Sequence, residues 1–217
     1  MAVEMLVLPD RTAWLQRRSS TIGGSDAGAI LGLNPYMSNI DLYELKTGIR
    51  QAEDISDKPA VKYGQQAERY LRGLFRLDYP QYRVEYVENN LWLNDRYPWA
   101  HYSADGWLYD KKGRLGILEI KTTEIKNAAQ WAQWQNRVPD HYFVQVLHGM
   151  MVMEADFAIL KAQIRRWIDD ELVIQTKHYP FERAPYEDDL SILEKEEFDF
   201  AMNLRNHTPP PLLLPTI

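Results

Sequence analysis

Leu115-Gly116-Ile117-Leu118-Glu119-Ile120-Lys121-Thr122 is the stretch whose reading decides the fold of this chain. The two-residue period of a β-strand places Ile117, Glu119 and Lys121 on one face, and Leu118 and Ile120 on the other. Glu119 and Lys121 are then neighbours. Upstream, Asp110-Lys111-Lys112-Gly113 reads as a turn, and Ala100 to Tyr109 as a preceding strand. Pairing of the two strands through that turn brings Asp105, in Ser103-Ala104-Asp105-Gly106, beside Glu119. Two carboxylates and an ammonium then share one spot. Hard divalent cations such as Mg²⁺ take oxygen ligands, and two of them across a scissile phosphate activate water on one side and steady the leaving oxygen on the other. The lysine can orient the attacking water or offset charge growing on the phosphate. Taken alone, a Glu-x-Lys on a strand also fits a solvated face or an ordinary ion pair.

Outward from this stretch the hydrophobic period changes twice. Towards the N-terminus it is helical: Asp10 to Arg17, then a Gly23-Gly24-Ser25-Asp26 turn feeding a helix through Leu31 with Ser25 or Asp26 as cap, ended by Asn34-Pro35. A third helix spans about Asn39 to Thr47 with Gly48 as its stop, and a long one begins at Pro59 and runs to about Asp78. Strand alternation takes over in Tyr82 to Glu88, Leu91 to Leu93, Ala100 to Tyr109 and Leu115 to Thr122, the pattern of a meander. Helical spacing returns at Lys126 to Trp134 and Asp140 to Met153. Two further strands, Asp156 to Arg166 and Glu171 to Tyr179, precede an amphipathic helix marked by Tyr186, Leu190, Leu193, Phe200 and Leu204. The order predicts an α/β layered domain, a mixed sheet flanked by helices. One domain over 1–217 is expected, with a proline-rich tail from about Thr208 through which helix cannot continue.

Composition limits the function classes. With 217 residues, 45% of them hydrophobic, the chain can bury a sizeable core. It has no cysteine, which excludes disulfides and thiolate zinc or iron–sulfur sites and suits a reducing cytoplasm. Met1 to Pro9 carries Glu4 and no basic region, and no apolar run is long enough to span a bilayer, so a soluble cytoplasmic protein is expected. The net charge of −6 argues against a protein that simply coats DNA. A nuclease meets that objection in part, because its site must gather carboxylates to hold cations while basic residues need only cluster locally.

Glu68 lies on an apolar stripe of the long helix, seven residues after Val61 and seven before Phe75. A carboxylate there needs water or a partner. Arg72 at i+4 is one candidate, and a metal ion shared with Asp105 is the other.

Several blocks carry a family resemblance. Arg17 to Tyr36, with Arg18-Ser19-Ser20-Thr21-Ile22-Gly23-Gly24-Ser25-Asp26 at its centre, resembles the opening block of the lambda exonuclease and YqaJ-type viral recombinase family, whose small phage and prophage alkaline exonucleases are the nearest members. Tyr63-Gly64-Gln65-Gln66-Ala67-Glu68 is similar to its Gly-x-x-x-Glu helix motif. Trp99 to Gly106 with Leu118 to Thr123 is similar to its Asp…Glu-x-Lys core, with Ala104 where that family usually has proline. Tyr142 to Met150, containing Gln145 and His148, resembles its glutamine-bearing helix. The blocks run in family order from Arg17 to about Met153.

The resemblance implies a PD-(D/E)xK fold and a Mg²⁺-dependent, two-metal 5′-to-3′ exonuclease on double-stranded DNA ends, with Mn²⁺ as a substitute, producing 3′ single-stranded tails for recombination. Asp105, Glu119 and the Ile120 carbonyl are the implied metal ligands. Lys121 is the implied assistant to the nucleophile and Glu68 the helix-borne carboxylate. Arg18, Ser25, Ser103 and Gln145 are the implied 5′-phosphate pocket. It also implies a ring-shaped homotrimer and a single-strand annealing protein as partner; Lys111, Lys112, Arg165 and Arg166 are, from their clustering in the sequence, the candidates for a locally basic channel. An endonuclease of the same fold and an inactive DNA-binding module are the alternatives. His141 and His148 are read as surface or DNA-proximal groups, Trp131 and Trp134 as core packing, and the acidic run from Glu187 to Glu197 as a solvated helix face.

Overall fold

The computed structural model describes residues 2–214. In chain order these form β1 (Val3–Val7), α1 (Arg11–Ser19), β2 (Ile22–Gly23), α2 (Gly24–Ile30), α3 (Asn39–Lys46), α4 (Pro59–Asp78), β3 (Arg83–Glu85), β4 (Asn90–Asn94), β5 (Ala100–His101), β6 (Gly106–Tyr109), β7 (Leu115–Ile125), α5 (Ala128–Ala132), α6 (Asp140–Met153), β8 (Phe157–Ile168), β9 (Glu171–Glu182) and α7 (Glu187–Asn206). Met1 and Pro215, on which parts of the sequence reading rest, lie outside the described residues.

Five strands form the main sheet in the order β3-β6-β7-β8-β9. The hairpins β6–β7 and β8–β9 are antiparallel, whereas β7 and β8 run parallel. A parallel pair needs a long crossover, and α5 and α6 supply it. Local chemistry sets both hairpins. Gly113 adopts φ +79 while the Asp110 carboxylate accepts from the amides of Lys112 at 2.8 Å and Arg114 at 3.0 Å. Asp169 and Asp170 take φ +48 and +63, the left-handed pair that a two-residue hairpin turn requires.

The expected alternation in β7 decides how the layers stack. Ile117 packs into a core cluster with Val144, Leu147 and Met150 of α6. Leu118 and Ile120 face Leu71 and Phe75 of α4. Helices thus cover both sheet faces, and α6 is buried along nearly all its C-terminal half, as a helix apolar on every side must be. The α/β class and the flanked mixed sheet agree with the sequence reading, and α4 and α6 keep the expected bounds. No helix among the described residues is long and apolar enough to cross a membrane.

Four expectations need correction. Val3–Val7 is a strand, pairing antiparallel with β4 in the register Met5↔Trp92, so β4 leaves the meander for a separate two-stranded sheet. Ala100 to Tyr109 is two short strands rather than one. The ladder breaks because the buried Asn90 side chain replaces a neighbouring strand: its Oδ1 accepts from the Ala104 amide and its Nδ2 donates to the Ala104 carbonyl, both at 2.9 Å. The helix expected from Lys126 to Trp134 is only the short α5. The cap of α2 is Gly23 and not Ser25 or Asp26, although Asp26 Oδ2 does accept from the Gly23 amide at 2.9 Å.

Candidate active site

The register Gly106↔Leu118 between β6 and β7 places Asp105 opposite Glu119, just where the Asn90-held loop ends and β6 begins. Asp105 Oδ2 accepts from the Ile120 amide at 2.8 Å, which fixes its carboxylate against β7. Its carbonyl accepts from Arg72 Nη1. Glu119 is 2% exposed and has three donors around it. Lys121 Nζ and Gln145 Nε2 both reach Oε1 at 2.7 Å, and the fully buried Tyr102 hydroxyl donates to Oε2. β7 contributes Glu119 and Lys121 on one face, and α6 lies over that face with Gln145.

Asp105 has carboxylates for neighbours. Burial pushes the Asp105 carboxyl well above the usual carboxylate range, and the negative charges of Glu119 and Glu68 push it further. For Lys121, burial acts to lower the ammonium pKa, but Glu119 and Asp105 outweigh it and the net shift is upward. Lys121 is thus held as an ammonium against the Glu119 carboxylate. Tyr102 is likewise held as a neutral phenol, raised by burial and by Glu119.

The donor set fits a hard divalent cation. Asp105 and Glu119 face one cleft, and Asp105 retains an oxygen that the Ile120 amide does not use. Ile120 also lines the cleft, and an all-oxygen set of two carboxylates with a backbone carbonyl suits Mg²⁺. Among the described residues no three carboxylates or imidazoles converge as a metal cluster. The Glu68 carboxylate is paired with Arg72 Nη1 at 2.8 Å, the i+4 partner, and that guanidinium lies 3.4 Å over the Tyr86 ring.

The same cleft, about 400 Å³ in volume, is lined by Arg18, Glu68, Ser103, Asp105, Glu119, Lys121 and Gln145. Arg18 comes from α1, its guanidinium stacked 4.0 Å over Trp14. Its Nε donates to His101 Nε2 at 3.3 Å, and among the described residues it has no carboxylate partner. Burial lowers its pKa, against the pull of Asp26, Asp105 and Glu119, as expected of a desolvated cation without a counter-ion of its own. Ser103 Oγ donates to the Asn90 carbonyl at 3.0 Å. Gln145 is engaged by Glu119. Ser25 stands apart: it is exposed in the first turn of α2 and does not line the cleft.

Other sequence readings are revised here. His148 is fully buried rather than at the surface, bonded through Nδ1 to Glu197 at 2.7 Å and through Nε2 to the His101 carbonyl at 2.8 Å. Glu197 is fully buried and so leaves the solvated face of α7. Trp134 is core as expected, and Trp131 packs half-buried against the same cluster while carrying Arg166 at 4.2 Å and Lys177 at 4.8 Å over its ring. Lys111 and Lys112 sit at the β6–β7 turn, while Arg165 and Arg166 pair with Glu124 and Ile125 at the opposite end of β7, so the four do not form one patch. Sequence reasoning missed Tyr102, Trp14 and His101. Trp14 and Arg18 are an i, i+4 pair on one helix, a readable cation–π signal. Nothing local marks Tyr102 or His101, whose roles depend on contacts with distant segments.

The profile of the YqaJ-like viral recombinase domain matches residues 13–156. The uncharacterized protein YqaJ of Bacillus subtilis (strain 168) is 31% identical over 175 residues, covering 75% of this chain and 52% of that protein. The chain thus spans about half the length of the curated relative it matches. Among solved structures, an alkaline exonuclease from Laribacter hongkongensis, LHK-Exo, superposes with a TM-score of 0.65 at 17% identity, covering 89% of this chain and 92% of that one. The same enzyme in complex with dAMP gives 0.58 at 15% identity over the same shares. A phage-related exonuclease from Haemophilus somnus 129PT gives 0.59 at 11% identity, covering 86% and 94%. At these identities the likeness is one of fold.

Proposed function

The chain belongs to the YqaJ-like viral recombinase domain family, and on that premise we propose that it is a Mg²⁺-dependent exonuclease that degrades the 5′-ended strand of duplex DNA and leaves 3′ single-stranded tails. The observation that carries this reading is the convergence of Asp105, Glu119, Lys121 and a guanidinium without a carboxylate partner, Arg18, on one cleft. Its volume suits a small ligand such as a terminal nucleotide. The fold shared with exonucleases, one of them holding dAMP, supports it.

Asp105, Glu119 and the Ile120 carbonyl would hold the metal, which when bound polarises the phosphate and lowers the pKa of water. The chain's own residues do the rest. Lys121, kept protonated by Glu119, donates to the attacking water or to a phosphate oxygen as negative charge grows there. Tyr102 and Gln145 fix the Glu119 carboxylate from opposite sides, so that little reorganisation accompanies the reaction. Arg18 presents its terminal nitrogens to a 5′-phosphate, for which a planar guanidinium makes paired charge-assisted hydrogen bonds, and Ser103 lies on the same wall. Glu68 joins the acidic group only by leaving Arg72.

The test is digestion of linear and covalently closed circular duplex with Mg²⁺, Mn²⁺, Ca²⁺ or a chelator. Turnover of linear DNA alone, with Mg²⁺ or Mn²⁺, is the expected result. Cutting of closed circles would favour an endonuclease of the same fold, and no cutting would favour a binding module.

A further inference from the structure

We propose that His101, as a neutral imidazole, is the positioning residue that aims Arg18 into the cleft; this rests on the reading of Arg18 as the group that holds a 5′-phosphate.

Hydrogen-bond directionality makes the assignment. An arginine Nε–H can only donate, so the His101 Nε2 that lies 3.3 Å from Arg18 Nε must present its lone pair. The proton therefore sits on Nδ1, which lies 2.8 Å from Thr21 Oγ1 and donates to it. Thr21 is itself fixed, since its carbonyl accepts from Lys46 Nζ at 2.8 Å, and Lys46 is paired with Asp26 at 2.7 Å. The backbone of His101 is held from the other side. Its carbonyl accepts from His148 Nε2 at 2.8 Å, and the buried Glu197 lies behind that ring.

Space enforces the same position. A Cβ on Gly23 would lie 2.8 Å from His101 Nε2, closer than a side chain can approach, so the glycine before α2 is required for the imidazole to reach Arg18. Trp14 supplies the second constraint, a ring 4.0 Å from the guanidinium. Between them they fix the plane and the Nε edge of Arg18 and leave its terminal nitrogens for an anion. The remaining property needed is neutrality. Burial, followed by the Arg18 charge, lowers the His101 pKa to about 2, so the ring remains an acceptor throughout the physiological range.

The measurement is kcat and KM on duplexes that differ only in a 5′-phosphate or a 5′-hydroxyl, for wild type, Arg18→Ala, His101→Phe and Thr21→Val. His101→Phe keeps a ring without an acceptor, and Thr21→Val removes the partner of Nδ1–H and releases the tautomer. Both should lose preference for the phosphorylated end by roughly tenfold, the scale of one hydrogen bond to a charged group. The loss should appear in KM, with a much smaller change on 5′-hydroxyl ends, a split that general loosening of the fold does not produce. If Arg18→Ala removes the preference while His101→Phe and Thr21→Val keep it, the positioning role is overturned and the phosphate reading stands. An equal loss on both ends in Arg18→Ala overturns the phosphate reading itself. Should His101→Phe fail to fold, Thr21→Val decides, together with the ¹⁵N shifts of His101 in the wild type, where an Nε2–H tautomer would contradict the proposal.

Discussion

Replacing Asn90 by alanine removes the side chain that stands in for a missing strand beside Asp105. Its amide makes three hydrogen bonds of 2.9 Å, to the Val87 carbonyl, the Ala104 carbonyl and the Ala104 amide. Ala104 is 3% exposed, so its N–H loses its partner without gaining water, at a cost of about 1–3 kcal/mol, and each carbonyl loses a net contribution of about 0.5–1.5 kcal/mol. Because these terms overlap, about 2–4 kcal/mol is expected for the whole, or roughly 5–15 °C in Tm for a chain of this size. Asn90→Asp is the sharper probe. It retains an acceptor for the Ala104 amide but turns a carboxylate oxygen toward two carbonyls, so its folded pKa should rise above the unfolded value. Protonation then favours the fold, and the deficit relative to wild type should grow as pH rises through that raised pKa. Urea unfolding of wild type, Asn90→Ala and Asn90→Asp between pH 4 and pH 8, on the order of the range that brackets carboxylate titration, measures both effects. The same variants should lose kcat on linear duplex, because Asp105 is carried by this loop. A loss of stability below about 0.5 kcal/mol for Asn90→Ala, the size of an ordinary surface change, would refute the argument, as would a pH-independent difference between Asn90→Asp and wild type.

Further outcomes follow from the same geometry. Glu119→Gln and Lys121→Ala should each reduce cleavage by at least about a hundredfold while the circular dichroism spectrum is kept, since each removes charge at the reacting phosphate; near-wild-type turnover in either would remove the assignment. The buried His148 has its pKa raised from the ordinary 6.5 because Glu197 outweighs the burial that acts to lower it. A raised folded pKa means that this pair stabilises fully below the unfolded value and loses its contribution as pH climbs through the folded one. Wild type should therefore lose stability from neutral to alkaline pH more steeply than His148→Gln, and parallel denaturation curves would contradict that. Light scattering at working concentration should give the mass of a trimer, and a monomer alone would reject the ring.

Legibility in the sequence followed the range of the interactions. The bounds of α4 and α6 were readable because proline at the first turn and a sustained apolar period are local signals. The juxtaposition of Asp105 and Glu119 was readable because a short turn fixes the register of its hairpin. The split of Ala100 to Tyr109 was not, because it depends on Asn90, fourteen residues before Ala104, acting as a strand surrogate. β1 was missed because Val-Glu-Met-Leu-Val has no turn signal tying it to a partner, and β4 lies far along the chain. His148 and Glu197 read as surface groups because each is polar in isolation. Only the packing of α6 on α7 shows that the two satisfy each other, 49 residues apart in sequence. Helix spacing left Glu68 between Arg72 and a metal because it allows both partners; the resemblance pointed to a catalytic carboxylate, whereas in the structure Glu68 pairs with Arg72 at 2.8 Å.

The central claim, that this cleft hydrolyses DNA from a 5′ end, is tested most directly on a linear duplex carrying distinguishable labels at the 5′ and 3′ termini of one strand, incubated with Mg²⁺. The 5′ label should be released first as a mononucleotide while the 3′ label stays in a shortening strand. Early release of the 3′ label, or internal cuts that leave both labels on long fragments, would contradict it.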